Sequence, residues 1–339
     1  MCPQCFGGAV SEYAARIEEE REAYRERTEV HDLPPICFYW LNRYILPELR
    51  EFGYPDAHAF FLKNLLRAAE GTAGKSRGSS GKRFLSIGAG NCDTEVRLAA
   101  GLREGGVEDF VIDCLDLNET MLQRGVELAD AGGMGPHLNP VCADFNTWQP
   151  SAEYDGIIAN QALHHVVALE SLMEAMHGAL RPQGLLIVSD MIGRNGHRRW
   201  PEALPLVEQF WGELPERYHY NHQLQRLETD YPDWDCSVEG FEGIRSQDIL
   251  PLLIERFGFR FFFAFSNVTD PFIDRSYGPN FDDNDAADRG FIDRVHACDA
   301  DGIASGRLKP THMLAVLSPD SAQPVVCRGH LTPEFCVRR

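Results

Sequence analysis

The residues best suited to chemistry fall at the ends of successive apolar runs in the middle of the chain. Phe84 to Ile87 leads into Gly88-Ala89-Gly90, and paired glycines let a backbone turn tightly and approach a ligand closely. A second run ends in Cys114-Leu115-Asp116-Leu117-Asn118. A carboxylate there can accept two hydrogen bonds from sugar hydroxyls, while Asp116 or Asn118 can also cap a helix beginning near Glu119. Met121 lies just downstream. A third run ends in Cys142-Ala143-Asp144-Phe145, a carboxylate beside an apolar ring, and a fourth in Asn160-Gln161-Ala162-Leu163-His164-His165. A neutral imidazole is available as a base near pH 7. A fifth run ends at Asp190, which can orient such a base.

These groups meet only if the runs are parallel strands joined by helices. The pattern supports this. Strands are predicted over 84–87, 110–115, 139–142, 156–159 and 185–189, with helices over 94–102, 119–129 and 169–180 between them. Such alternation implies βαβ units and a mainly parallel sheet. Regular structure resumes with a helix over 246–256 and strands over 259–264 and 313–317. The segments at about 193–245 and 266–309 read as insertions able to cover a site. Residues 11–28 form a charged helix, 36–52 an aromatic-rich helical segment and 57–69 a further helix. A Gly/Ser/Lys linker over 71–82 marks a boundary. The expected organisation is therefore a helical extension or cap over 1–80, an α/β domain over 81–320 and a tail over 321–339. The tail is expected to be loosely ordered or to wrap the surface.

In this order the segments resemble the class I S-adenosylmethionine (SAM)-dependent methyltransferases of the small-molecule type, well over Phe84 to Ser189 and loosely over the last two strands. The resemblance implies a doubly wound α/β fold with a mainly parallel seven-stranded sheet, and SAM as cofactor. It assigns cofactor contacts to Ser86, Gly88, Gly90, Asp93, Asp116, Leu117, Met121, Asp144, Phe145 and Asn160. Asp116 would take the ribose and Asp144 the adenine amino group. Met121 and Phe145 would pack on the adenine ring. Ser86 departs from the family, which usually has an acidic residue there, and Asp93 offers a replacement carboxylate. Asp93 also stands where a dinucleotide fold wants its third glycine and would repel a pyrophosphate, which disfavours a nicotinamide-dependent oxidoreductase. SAM has no phosphate.

Composition narrows the function further. The chain has 339 residues, 44% of them hydrophobic, and a net charge of −19. A surface so acidic repels polyanions, so nucleic acid is a poor partner. No segment reads as a membrane span, and ten cysteines without a disulfide-like pattern suit a reducing cytoplasm. The expected activity is methyl transfer to a small molecule at a hydroxyl or other heteroatom. His165 is the first candidate base, followed by His164, with Asp190 orienting. His31, His219 and His222 are alternatives. Their spacing matches no metal-ligand motif, so no metal is expected, and Cys2-Pro3-Gln4-Cys5 lacks two further ligands. Arg194, His219, His222 and Tyr39 are candidate substrate contacts, Arg194 for an acidic group. The helix over 11–28 offers a face to a partner or a second copy, and a non-catalytic SAM-fold module is the competing reading of another class.

Overall fold

The computed structural model describes residues 4–25, 32–71, 81–238, 240–320 and 324–338. The strands are β1 Lys82–Ile87, β2 Phe110–Asp116, β3 Leu138–Cys142, β4 Tyr154–Asn160, β5 Leu180–Met191, β6 Tyr220–Asn221, β7 Arg226–Leu227, β8 Gly258–Phe265, β9 His312–Ser318 and β10 Val326–Cys327. The helices are α1 Gln4–Arg25, α2 Pro35–Trp40, α3 Leu46–Glu51, α4 Ala57–Gly71, α5 Asp93–Glu104, α6 Glu119–Ala131, α7 Leu169–Ala179, α8 Leu204–Glu213, α9 Ser246–Arg256, α10 Asp270–Ile273, α11 Ala286–Ala304 and α12 Pro333–Cys336. A wide π turn, Leu41–Ile45, joins α2 to α3. Pro47, in the first turn of α3, has no N–H to continue the preceding ladder, and such breaks relax into irregular turns.

One sheet has the order β10-β8-β9-β5-β4-β1-β2-β3. β1 to β5 pair in parallel, and β9 runs antiparallel to both of its neighbours. Chain order reverses between β1 and β4, and ligands of open α/β sheets bind beyond the strand ends at such a switch. The central strands are buried along nearly their whole length, as helices on both faces require. β3 is mostly exposed and tolerates Pro140 because it is an edge. Near the opposite strand ends, buried Asp113 accepts a bidentate pair from Arg83 (2.8 and 2.9 Å), the Tyr154 hydroxyl (2.9 Å) and Asn139 Nδ2 (2.8 Å). That network ties β1, β2, β3 and β4 into one register.

The sheet has one strand more than the seven expected. β10 comes from the tail and pairs in parallel with the outer edge of β8, which shields part of an otherwise open edge. α12 follows. Lys309 reaches back to it, donating to the Phe335 carbonyl at 2.6 Å with its ammonium over the Phe335 ring. This part of the tail is thus built into the fold. α4 packs on the sheet as a layer helix: a Cβ on Gly156 of β4 would meet Leu65 and Ala68 at 3.1 and 3.5 Å. Among the described residues no helix is long and apolar enough to cross a membrane. Most of the 71–82 linker, His31 and Cys2 lie outside the described residues.

Candidate cofactor and acceptor site

The glycine turn after β1 is fixed by β2. The N–H groups of Gly88 and Ala89 both donate to the Leu115 carbonyl, at 2.9 and 3.1 Å. Gly88 has φ +71° and Gly90 φ +54°, which favour residues without a Cβ. A Cβ on Gly88 would come within 2.7 Å of Ala162 Cβ. The glycine turn therefore touches the start of the histidine segment, on the neighbouring strand end.

Asp116 holds the turn. Its Oδ2 accepts the Gly90 N–H and its Oδ1 the Asn118 N–H, each at 2.8 Å. Each carboxylate oxygen keeps a further lone pair. Burial pushes the Asp116 carboxyl upward against these two donors. Asn118 does the capping, its side chain accepting from the Thr120 and Met121 N–H groups. Met121 is buried with its Cε 3.3 Å from where a Gly90 Cβ would stand. Leu117 and Asn160 are half-buried at the ends of β2 and β4.

At Ser86 the structure supplies a carboxylate from an unexpected place. Ser86 Oγ donates to Glu95 Oε1 at 2.6 Å, both fully inside. Asp93 stands beside it in the first turn of α5, half-buried. Burial raises the Glu95 carboxyl to about 7, only partly opposed by the Ser86 hydroxyl, and Glu95 Oε2 is buried without a partner. A carboxyl raised on folding favours the folded state below its unfolded value near 4.5. That advantage is lost as pH rises to about 7. Glu95→Gln should flatten this part of the stability curve. Denaturant unfolding of the two proteins across that window checks it, and an unchanged slope would refute the assignment.

Asp144 and Phe145 lie beyond β3, Phe145 packed on the core. Asp144 accepts from the Tyr13 hydroxyl at 2.7 Å and from the Asn146 N–H and Nδ2, both at 2.9 Å. Asn146 Oδ1 in turn accepts the Val167 and Ala168 N–H groups at 2.9 and 2.7 Å, tying this loop to the histidine segment. Tyr13 belongs to α1, which lies across the strand ends of its own chain. Asn118 Nδ2 donates to the Arg21 carbonyl at 3.0 Å, and Glu20 and Tyr24 approach His165.

The histidine segment is held by Asp190, which is fully buried. One oxygen accepts the Ala162 and Leu163 N–H groups at 3.1 and 2.7 Å, and the other meets His164 Nδ1 at 2.7 Å. Glu242 completes the cluster, 3.4 Å from His164 Nε2, 3.5 Å from His165 Nε2 and 2.7 Å from His197 Nε2. Burial disfavours the His164 imidazolium, but Asp190 and Glu242 outweigh it and raise the group to about 10. Burial works against the Glu242 charge too, yet the surrounding imidazoles hold it well below the usual range. Burial lowers His197.

The remaining sequence-selected residues are engaged elsewhere. Arg194 donates to the Arg199 carbonyl at 3.0 Å and sits 3.8 Å from Asp233. Arg199 is spent on Asp270 and backbone carbonyls. His219 stacks on Trp211, His222 bonds Asn280, and Tyr39 donates to Asp293 of α11. Tyr13, Glu20, Glu95, Asn146, His197 and Glu242 were missed from the sequence. Only His197 carried a signal, inside the basic Arg194–Arg199 run. Glu242 stands alone between Phe241 and Gly243.

Residues 84–184 match a family model described as a methyltransferase domain. No match to this sequence is found among curated proteins. Three solved structures are among those similar to this chain. An O-methyltransferase from a trans-AT PKS multienzyme of Brevibacillus brevis is 14% identical over 92% of this chain and 85% of its own, with a TM-score of 0.43. A putative sarcosine dimethylglycine methyltransferase from Galdieria sulphuraria is 14% identical, over 82% and 88%, at 0.44. A geranyl diphosphate C-methyltransferase from Streptomyces coelicolor A3(2) is 9% identical, over 90% and 98%, at 0.46. Likeness at this level says nothing of substrate.

Proposed function

We propose that this enzyme, whose residues 84–184 match a methyltransferase-domain model, is of the class I SAM-dependent kind and methylates a small-molecule acceptor at a hydroxyl or other heteroatom by in-line displacement. The observation that carries this is the contact of Gly88 with Ala162, which joins the turn held by Asp116 to the segment bearing His164 and His165. SAM supplies a methyl group already activated on a sulfonium. Gly88, Gly90, Asp116 and Met121 fit its nucleoside end: two positive-φ glycines, a carboxylate with lone pairs to spare and an apolar side chain over the turn.

The chain's own residues then have two tasks, alignment and exclusion of water. Asp190 fixes the segment 162–164 through two backbone N–H groups. His165, half-buried with its Nδ1 3.2 Å from Glu20, would in this reading take the acceptor's proton. In this reading α1 roofs the cofactor end, and the insertions near 193–245 and 266–309 set acceptor choice. The test is incubation with methyl-labelled SAM and a small-molecule extract. Label should appear in a low-mass product and fall at least tenfold with His165→Ala. SAM binding without any labelled product would favour a non-catalytic module instead.

A further inference from the structure

The imidazoles of His164, His165 and His197 converge on the single carboxylate of Glu242, and one nitrogen of each of the first two lies with a Glu242 oxygen within 4.8 Å of one another. The backbone builds this convergence. The Ile244 N–H donates to the His164 carbonyl at 3.0 Å, and the Gly196 N–H to the Gly243 carbonyl at 2.8 Å. Gly243 has φ +67°, and a Cβ there would meet the His197 ring at 3.0 Å. The loop carrying Glu242 is thus pressed onto two histidine-bearing segments.

The far side of the His164 ring is also engaged. His164 Nδ1 is 2.7 Å from Asp190, while the Nε2 atoms of His164 and His165 both face Glu242. Metal-ligating histidines are oriented in this way, one ring nitrogen on a carboxylate and the other on the ion. Donors bound tetrahedrally at about 2.0–2.2 Å stand roughly 3.3–3.6 Å apart; His164 Nε2 lies 3.4 Å from Glu242 Oε1 and His165 Nε2 3.5 Å from Oε2, one ring against each carboxylate oxygen. His197 Nε2, 2.7 Å from Glu242, fixes that carboxylate toward the other two rings. Three carboxylates, Glu20, Asp190 and Glu242, border the rings. The nearby Arg199 guanidinium is committed to Asp270, Asn267 and the His197 carbonyl. The Glu242 side chain keeps 39% exposure against 5% for His164, so solvent reaches the cluster from its side.

We propose that His164, His165 and Glu242 form a binding site for one divalent transition ion of the zinc class, with Asp190 orienting His164 and His197 holding the Glu242 carboxylate. Imidazole-rich sets with one carboxylate suit zinc and its neighbours rather than magnesium or calcium. A role for that ion beside the acceptor, polarising its oxygen in place of a His165 base, rests on the methyl-transfer reading. The binding itself does not.

The full chain, stripped with a chelator, is titrated with cobalt(II) as an optical probe. The site predicts a visible band of tetrahedral or five-coordinate intensity that saturates at one ion per chain and is displaced by zinc. His165→Ala and Glu242→Gln, folded by circular dichroism, should each weaken cobalt binding at least tenfold. A wild-type chain with no band overturns the proposal, as does a band unchanged in both variants. Calorimetry with S-adenosylhomocysteine on the stripped chain separates the two ideas. A cobalt band without nucleoside binding keeps the ion site and removes the methyl-transfer reading. Nucleoside binding without a band does the reverse.

Discussion

Replacing Asp116 by alanine is expected to weaken binding of SAM and S-adenosylhomocysteine by about 1.5–3 kcal/mol, roughly 10- to 150-fold, the scale of a lost charge-assisted hydrogen bond. Two losses combine. The carboxylate leaves the ribose position, and the Gly90 N–H loses the acceptor that fixes the turn. Asp116→Asn keeps one acceptor oxygen and should fall between the two proteins. Asp144→Ala should cost less, because Tyr13 and Asn146 already occupy much of that carboxylate. Calorimetric titration of all four proteins gives the order. Equal affinities for wild type and Asp116→Ala would mean that the nucleoside sits elsewhere.

The largest effect on stability is expected at Asp190. Asp190→Ala orphans the Ala162 and Leu163 N–H groups and leaves His164 buried beside Glu242 alone. Removing one partner of a buried pair costs about 3–5 kcal/mol. Denaturant unfolding should show this as a lowered midpoint with little change in slope. The pair also has a pH signature. The His164 pKa is raised on folding to about 10 from 6.5. Its stabilising contribution is therefore complete below about 6.5 and is lost as pH rises toward 10. Asp190, Glu242 and the neighbouring His197 face this group, and Asp190→Asn should flatten the decline in chelator-treated protein. A wild-type stability that does not fall over that window would show that His164 is not ionised by its carboxylate neighbours.

The elements were legible in the sequence because their signals are local. Alternating apolar runs and glycine punctuation place β1 to β5 and the helices between them within a few residues, and α9 at the predicted bounds of 246–256. β10 was not legible, since Val326 and Cys327 form a strand only by borrowing the edge of β8. In the site, Gly88, Gly90 and Asp116 could be read because each ends its own apolar run. Glu95 could not: it lies inside a helix whose pattern explains it as a first-turn acid, and only packing turns it toward Ser86. His197 and Glu242 reach the His164–His165 segment through loop closure across the insertion, which no periodicity encodes. Tyr13 and Glu20 belong to a helix so charged that its sequence suits solvent or a partner, yet they meet Asp144 and His165 of the same chain.

Calorimetric titration of the full chain tests most directly whether the crevice between β1 and β4 binds the sulfonium cofactor. S-adenosylhomocysteine should bind at one site per chain, SAM should compete for it, and NAD should give no heat. Binding of NAD with no response to either sulfur nucleoside would contradict the account.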